Sequence, residues 1–201
     1  MKLLLNFAGK TTMTMKRYFL FALLCLSLFT AFPSEHARLV FRNLNMSQGI
    51  SDNHVRSILK DSYGMMWFVT LNGVNRYDGY RFKKYGVERS PHWNDALYKI
   101  YEDADSNIWV TGSSYVYCYH SDSDFIDTHV EGTLARYGIR GKVSRLFVDK
   151  DHNLWCLRAR TLFYYDFSRR RLTRMQLPKD MQLWDLMCRN GRARLLCSQG
   201  A

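Results

Sequence analysis

Three tryptophans occupy the same place in three copies of one repeat. Trp67, Trp109 and Trp155 lie 42 and 46 residues apart, and an aspartate precedes each by six residues: Asp61, Asp103 and Asp149. Nine residues before each tryptophan stand Ile58, Ile100 and Leu146, and twelve before stand Val55, Leu97 and Val143. Seven residues after come Val74, Val116 and Leu162, and ten after come Tyr77, Tyr119 and Tyr165. Six positions thus agree in three copies without a gap, and a period of this length decides the fold before any local reading does.

Each copy also makes physical sense by itself. The stretch HVRSILK reads as a short strand, and the aspartate after it opens a turn, because its carboxylate can accept backbone N–H groups. The turn texts DSYG, DADSN and DKDHN are rich in turn formers, and MMWFVT, NIWVTG and NLWCLR read as return strands. Asn72-Gly73 makes the next turn in the first copy. VNRYDG, VYCYHS and LFYYDF are third strands, and fourth strands fit around Phe82–Tyr85, Phe125–Thr128 and Leu172–Met175. Four short strands about every 40–50 residues form the blade of a β-propeller, whose sheets are apolar on both faces and must stack on their neighbours. The anchor tryptophans are then core residues between blades.

The expected fold is all-β: a β-propeller fragment of three four-stranded blades and a partial fourth, following an N-terminal signal helix. The repeats fall at about 48–90, 91–136, 137–178 and 179–201. In the fourth, Leu183 and Leu186 keep the aliphatic positions, while Arg189 and Leu195 replace the aspartate and tryptophan. Closed propellers have about four to eight blades. The expectation is therefore a piece of a longer propeller, or one closed by other copies, with Leu39–Leu44 as a strand of a last blade. Exposed sheet edges and aggregation are expected with it.

The 201 residues carry a net charge of +11, and its distribution matters more than its size. Residues 1–37 hold four basic side chains and one acidic, residues 38–151 hold fifteen and fourteen, and residues 152–201 hold ten and three. The excess belongs to the two ends, so it makes no case for nucleic acid, and no direct nucleic-acid contact is expected. In segment 1–37, Lys16 and Arg17 precede the apolar run from Tyr18 to Phe32. That pattern reads as a secretory signal, with an uncleaved anchor as the alternative. The chain is expected to be exported, periplasmic or held on the periplasmic side of the inner membrane. Export permits disulfides, but hairpin pairing about Asn190-Gly191 sets Cys188 opposite Ala193 and away from Cys197, so buried free thiols are expected.

Residues Gln48 to Tyr85 closely resemble the two-component regulator propeller repeat. The matches are Gly49, Ser51, Asn53, Val55, Ile58, Asp61, Gly64, Trp67, Thr70, Gly73, Tyr77 and Asp78. The later copies match less fully: Gly112 and Arg158 replace Thr70, and Tyr115 and Thr161 replace Gly73. The resemblance implies the extracytoplasmic sensing region of a hybrid histidine kinase, often one concerned with glycans. The partners it implies are an oligosaccharide ligand, the remaining blades and the kinase domains. A histidine kinase would act through domains outside this sequence, so no catalytic residue, cofactor or metal is assigned to it. A propeller enzyme of lyase type is the rival from another class, and a remnant of a truncated gene is a third reading.

Binding candidates follow from side-chain chemistry. Arg158 and Arg160 lie in the turn after a return strand, within a late basic group that includes Arg169, Arg170, Arg171 and Arg174. Guanidinium forks suit carboxylate and sulfate oxygens, so an acidic oligosaccharide is the ligand they suggest. Trp93 and Trp184 lie outside the anchor positions and are candidate stacking platforms for sugar rings. The same arginines also read as solvated surface, and both tryptophans as packed residues. The runs Asp103-Asp105-Asn107 and Asp149-Asp151-Asn153 lack the acid at position twelve of a calcium loop, where Ser114 and Arg160 stand, and read as turns.

Overall fold

The computed structural model describes residues 18, 21, 41–85, 95–127, 129–189 and 192–199. The chain divides into two units, Met1–Arg42 and Asn43–Ala201. In the first, Tyr18 and Phe21 are helical and exposed, and Phe41 and Arg42 have no regular structure. The cleavage and anchoring questions fall outside the described residues. Among those described, no helix is long and apolar enough to cross a membrane.

The second unit holds three antiparallel four-stranded sheets and a hairpin, the blades of a β-propeller. The first blade is β1 (Val55–Lys60), β2 (Met66–Thr70), β3 (Gly73–Tyr77) and β4 (Phe82–Tyr85). The second is β5 (Leu97–Glu102), β6 (Ile108–Gly112), β7 (Val116–His120) and β8 (Phe125–Asp127). The third is β9 (Arg145–Val148), β10 (Leu154–Arg158), β11 (Thr161–Asp166) and β12 (Arg171–Gln176). The hairpin is β13 (Met181–Arg189) with β14 (Arg192–Gln199). Strands pair in chain order within each sheet, and β5 approaches both β1 and β9, so the first strands form the inner edge along which blades meet. We call the end with the second-to-third-strand turns the upper end; the aspartate turns lie at the lower end.

The anchor tryptophans pack as the repeat requires. Trp67 is 1% exposed, Trp109 0% and Trp155 6%, each in a different cluster. Trp67 packs with Leu97, Ile100 and Val110 between the first two blades. Trp109 packs with Leu146, Leu154 and Phe163 between the second and third. Trp155 packs with Leu162, Leu177 and Leu183 towards the hairpin. Burying an indole of this size contributes about 4–6 kcal/mol of gross transfer free energy.

Three details differ from expectation. Of the expected strand Leu39–Leu44, the first two residues lie outside the described ones and Phe41–Leu44 is not a strand; Leu44 instead packs on Ile50, Phe68 and Tyr77. Val143 lies before β9, which starts at Arg145. The connection between the second and third blades carries a helix, α1 (Glu131–Arg136). Val130, Leu134 and Tyr137 fall on one helical face and are buried beside Ile139. Glu131 in its first turn and Arg136 in its last suit the helix dipole.

The hairpin register places Cys188 opposite Ala193, as the spacing predicts, and the slip beyond it sets Leu183 opposite Cys197. Cys118, Cys156 and Cys197 are free thiols, the first two buried. Burial pushes both of those thiols well above the ordinary range.

Candidate ligand-binding site at the inner strands

Each repeat aspartate is hydrogen-bonded to the tryptophan six residues later. Trp67 Nε1 donates to Asp61 Oδ2 at 2.7 Å, Trp109 Nε1 to Asp103 Oδ2 at 2.7 Å, and Trp155 Nε1 to Asp149 Oδ2 at 3.0 Å. The other oxygen closes the turn. Asp61 Oδ1 accepts from the Tyr63 and Met65 amides, Asp103 Oδ1 from Asp105 and Asn107, and Asp149 Oδ1 from Asp151 and Asn153. One carboxylate therefore shapes the lower turn and orients the indole between blades. Burial pushes the Asp103 carboxyl above the usual aspartate value, against the opposing pull of the N–H groups of Trp109 and Asn107. The lower end is thus committed to structure.

Further ties at that end join the blades. Arg76 lies over the rings of Trp67, Tyr85 and Tyr119 at 5.6–5.7 Å and pairs with Asp124 at 3.2 Å. Asp124 also accepts from Lys83, Tyr85 and Tyr119. Burial alone would raise the Asp124 carboxyl; those donors and the Arg76 charge outweigh it and bring it down to about 2. Glu102 accepts from the amide and hydroxyl of Ser62, and its carbonyl meets His152 Nδ1 at 2.9 Å. The third repeat tyrosine, Tyr165, packs on Tyr137 at 4.9 Å.

The upper end is built differently. Leu97 and Ile100 lie three apart, yet both face the cluster around Trp67. A regular strand alternates faces, so both can point inward only if one residue between them is extra. Accordingly the β5–β6 register slips between Leu97 and Lys99, and Tyr98 is a β-bulge. The β1–β2 register slips between Val55 and Ser57 at Arg56, and the hairpin register slips between Leu183 and Asp185 at Trp184. All three lie eleven residues before the anchor position. Its counterpart in the third blade is Ser144, whose amide and hydroxyl both donate to the Leu157 carbonyl, at 2.8 and 3.0 Å. The sequence carries the signal, as two aliphatics at an odd spacing where a regular strand would alternate.

These bulge residues meet across blades. Arg56 lies over the Tyr98 ring at 5.1 Å and donates to the Leu97 carbonyl at 3.0 Å. Tyr98 and Ser144 line a cleft of about 290 Å³ between the second and third blades. Lys99, Tyr101, Thr111 and Arg145 line it too. A smaller pocket of about 170 Å³ adjoins it at Val116, with Lys142 over the Tyr115 ring at 4.5 Å. Asp95 at this end accepts from Ser113, Ser114, Tyr115 and Tyr117, which holds the β6–β7 turn; the sequence reading did not single it out.

Arg158 and Arg160 bracket the β10–β11 turn at the upper end, with Ala159 at φ 52 between them. The Arg158 guanidinium donates to the Arg140 carbonyl and lies 5.3 Å from the Phe163 ring centre. Arg169 and Arg170 sit at the lower end, where Arg169 pairs with Asp166 at 3.1 Å and Arg170 reaches Asp105 at 4.0 Å. The late arginines therefore do not form a single patch. Trp93 lies outside the described residues, as does the side chain of Trp184.

The fold and these turns define a propeller built from repeats with an aspartate–tryptophan tie. Residues 49–72 match the two component regulator propeller family, and the chain resembles that family. It is 33% identical over 66 residues to histidine kinase P4 of Formosa agariphila, a match covering 33% of this chain and 4% of that protein. Among solved structures it is similar to the extracellular domain of a hybrid two component system from B. thetaiotaomicron, at 24% identity and TM-score 0.49, over 72% of this chain and 22% of that one. It is also similar to virginiamycin B lyase from Staphylococcus aureus, at 20% identity and TM-score 0.46, over 71% and 48%.

Proposed function

We propose that this chain is the ligand-sensing propeller region of an exported two-component receptor, and that its ligand is an oligosaccharide. The observation that carries the reading is the family repeat at residues 49–72, with the histidine kinase relative beside it. The physical plan supports it. Carboxylates at the lower end are committed to turns and indoles, while hydroxyl, cationic and aromatic side chains gather at the upper cleft. Its own role is binding, and signalling follows in kinase domains to which the propeller is joined. Titrating the purified chain with an oligosaccharide panel tests this. A saturable rise in melting temperature without consumption of the sugar is the expected result. Catalytic turnover of a sugar would assign the chain to the propeller enzymes instead.

A further inference from the structure

Resting on that reading, we propose that the inner-strand bulges at the upper end form a binding site for an acidic sugar. The sugar ring would sit in the cleft between the second and third blades. A bulge residue is extra to the ladder, so the core does not constrain it, and bulges commonly re-aim side chains at functional sites. Here the same repeat position carries Arg56, Tyr98 and Ser144, and by register Trp184, where an all-structural position would repeat one residue type. Arg56 and Tyr98 touch across the blade boundary, so these two positions form one surface.

The cleft supplies the complementary chemistry. Tyr98 and Tyr101 offer ring faces for sugar C–H groups, and Thr111 and Ser144 offer hydroxyls. Lys99 and Arg145 supply positive charge, and no aspartate or glutamate is among the described lining residues. An arginine fork matches a carboxylate or sulfate in a way that it does not match a neutral hydroxyl. A volume of about 290 Å³ suits one ring of a longer saccharide, at the small end of the range for ligand sites.

Calorimetry on the purified chain tests the site with three probes: a galacturonate trisaccharide, a neutral galactose trisaccharide, and sodium sulfate as charge alone. The galacturonate probe should bind saturably and about tenfold or more tighter than either of the others. Arg145→Gln and Tyr98→Ala should each weaken it about tenfold in chains that still unfold cooperatively, while Arg158→Gln should leave it within about twofold. Equal affinity for the neutral sugar, sulfate binding as tight as the saccharide, no binding of galacturonate, or indifference to both cleft substitutions would each overturn the proposal. A melting-temperature rise with some other saccharide, or loss confined to Arg158 and Arg160 variants, would leave the receptor reading standing while removing this site.

Discussion

The aspartates of the repeat serve two structures at once, and that sets how much each is worth. Asp103 is 2% exposed and accepts from two backbone amides, the Asn107 side chain and the Trp109 indole. Asp103→Ala strands these donors in a buried site, and should lower unfolding free energy by about 2–4 kcal/mol in urea titrations followed by tryptophan fluorescence. Asp103→Asn, which keeps an acceptor oxygen, should cost less. The turn half of this role was legible, because an aspartate followed by Gly, Asn or Ser announces a turn. The indole half was not, since a spacing of six gives no hint that a turn side chain reaches back to the return strand's indole. Asp124 makes a different prediction. Its folded carboxyl titrates near 2, below the ordinary value of about 3.9. Its contribution is therefore fully present above about pH 4 and lost as pH falls through about 2. Asp124→Asn should flatten the decline of melting temperature across that window.

Among the elements, those that recur were readable and those that occur once were not. The second, third and fourth strands of all three blades lie within a residue or two of the spacing's prediction, because each repeats a pattern that the other copies check. Helix α1 has no counterpart in the other copies, and its six residues are too few for periodicity to stand out. It is nonetheless structural: Leu134 is fully buried between the second and third blades. Leu134→Ala should cost about 2–5 kcal/mol by denaturant titration, and the loss should fall mainly on the boundary that α1 covers. The bulges were hidden for the opposite reason. The repeat spacing marks their aliphatic neighbours, but the slip itself shows only when those neighbours are placed on the two faces of a pleated strand.

For the whole molecule, two properties follow from how blades stack. Cys118 and Cys156 are sealed between the second and third blades, whereas Cys197 is partly exposed on the hairpin. Of these three, Cys197 should react with a maleimide in the native chain, and the other two only after denaturant; peptide mass mapping reads the order. The first blade presents Val55, 39% exposed, and Ile58, 56% exposed, at positions that are core in the second blade. The purified chain should associate reversibly in sedimentation velocity, and Ile58→Lys should reduce that association. A different consequence follows from the odd spacing of the inner aliphatics. In the first two blades it leaves one residue at the upper inner edge that lies outside the ladder. Such a propeller can drift in what it recognises while its stability stays level. Randomising position 98 should therefore alter what the chain binds more than it alters the melting temperature.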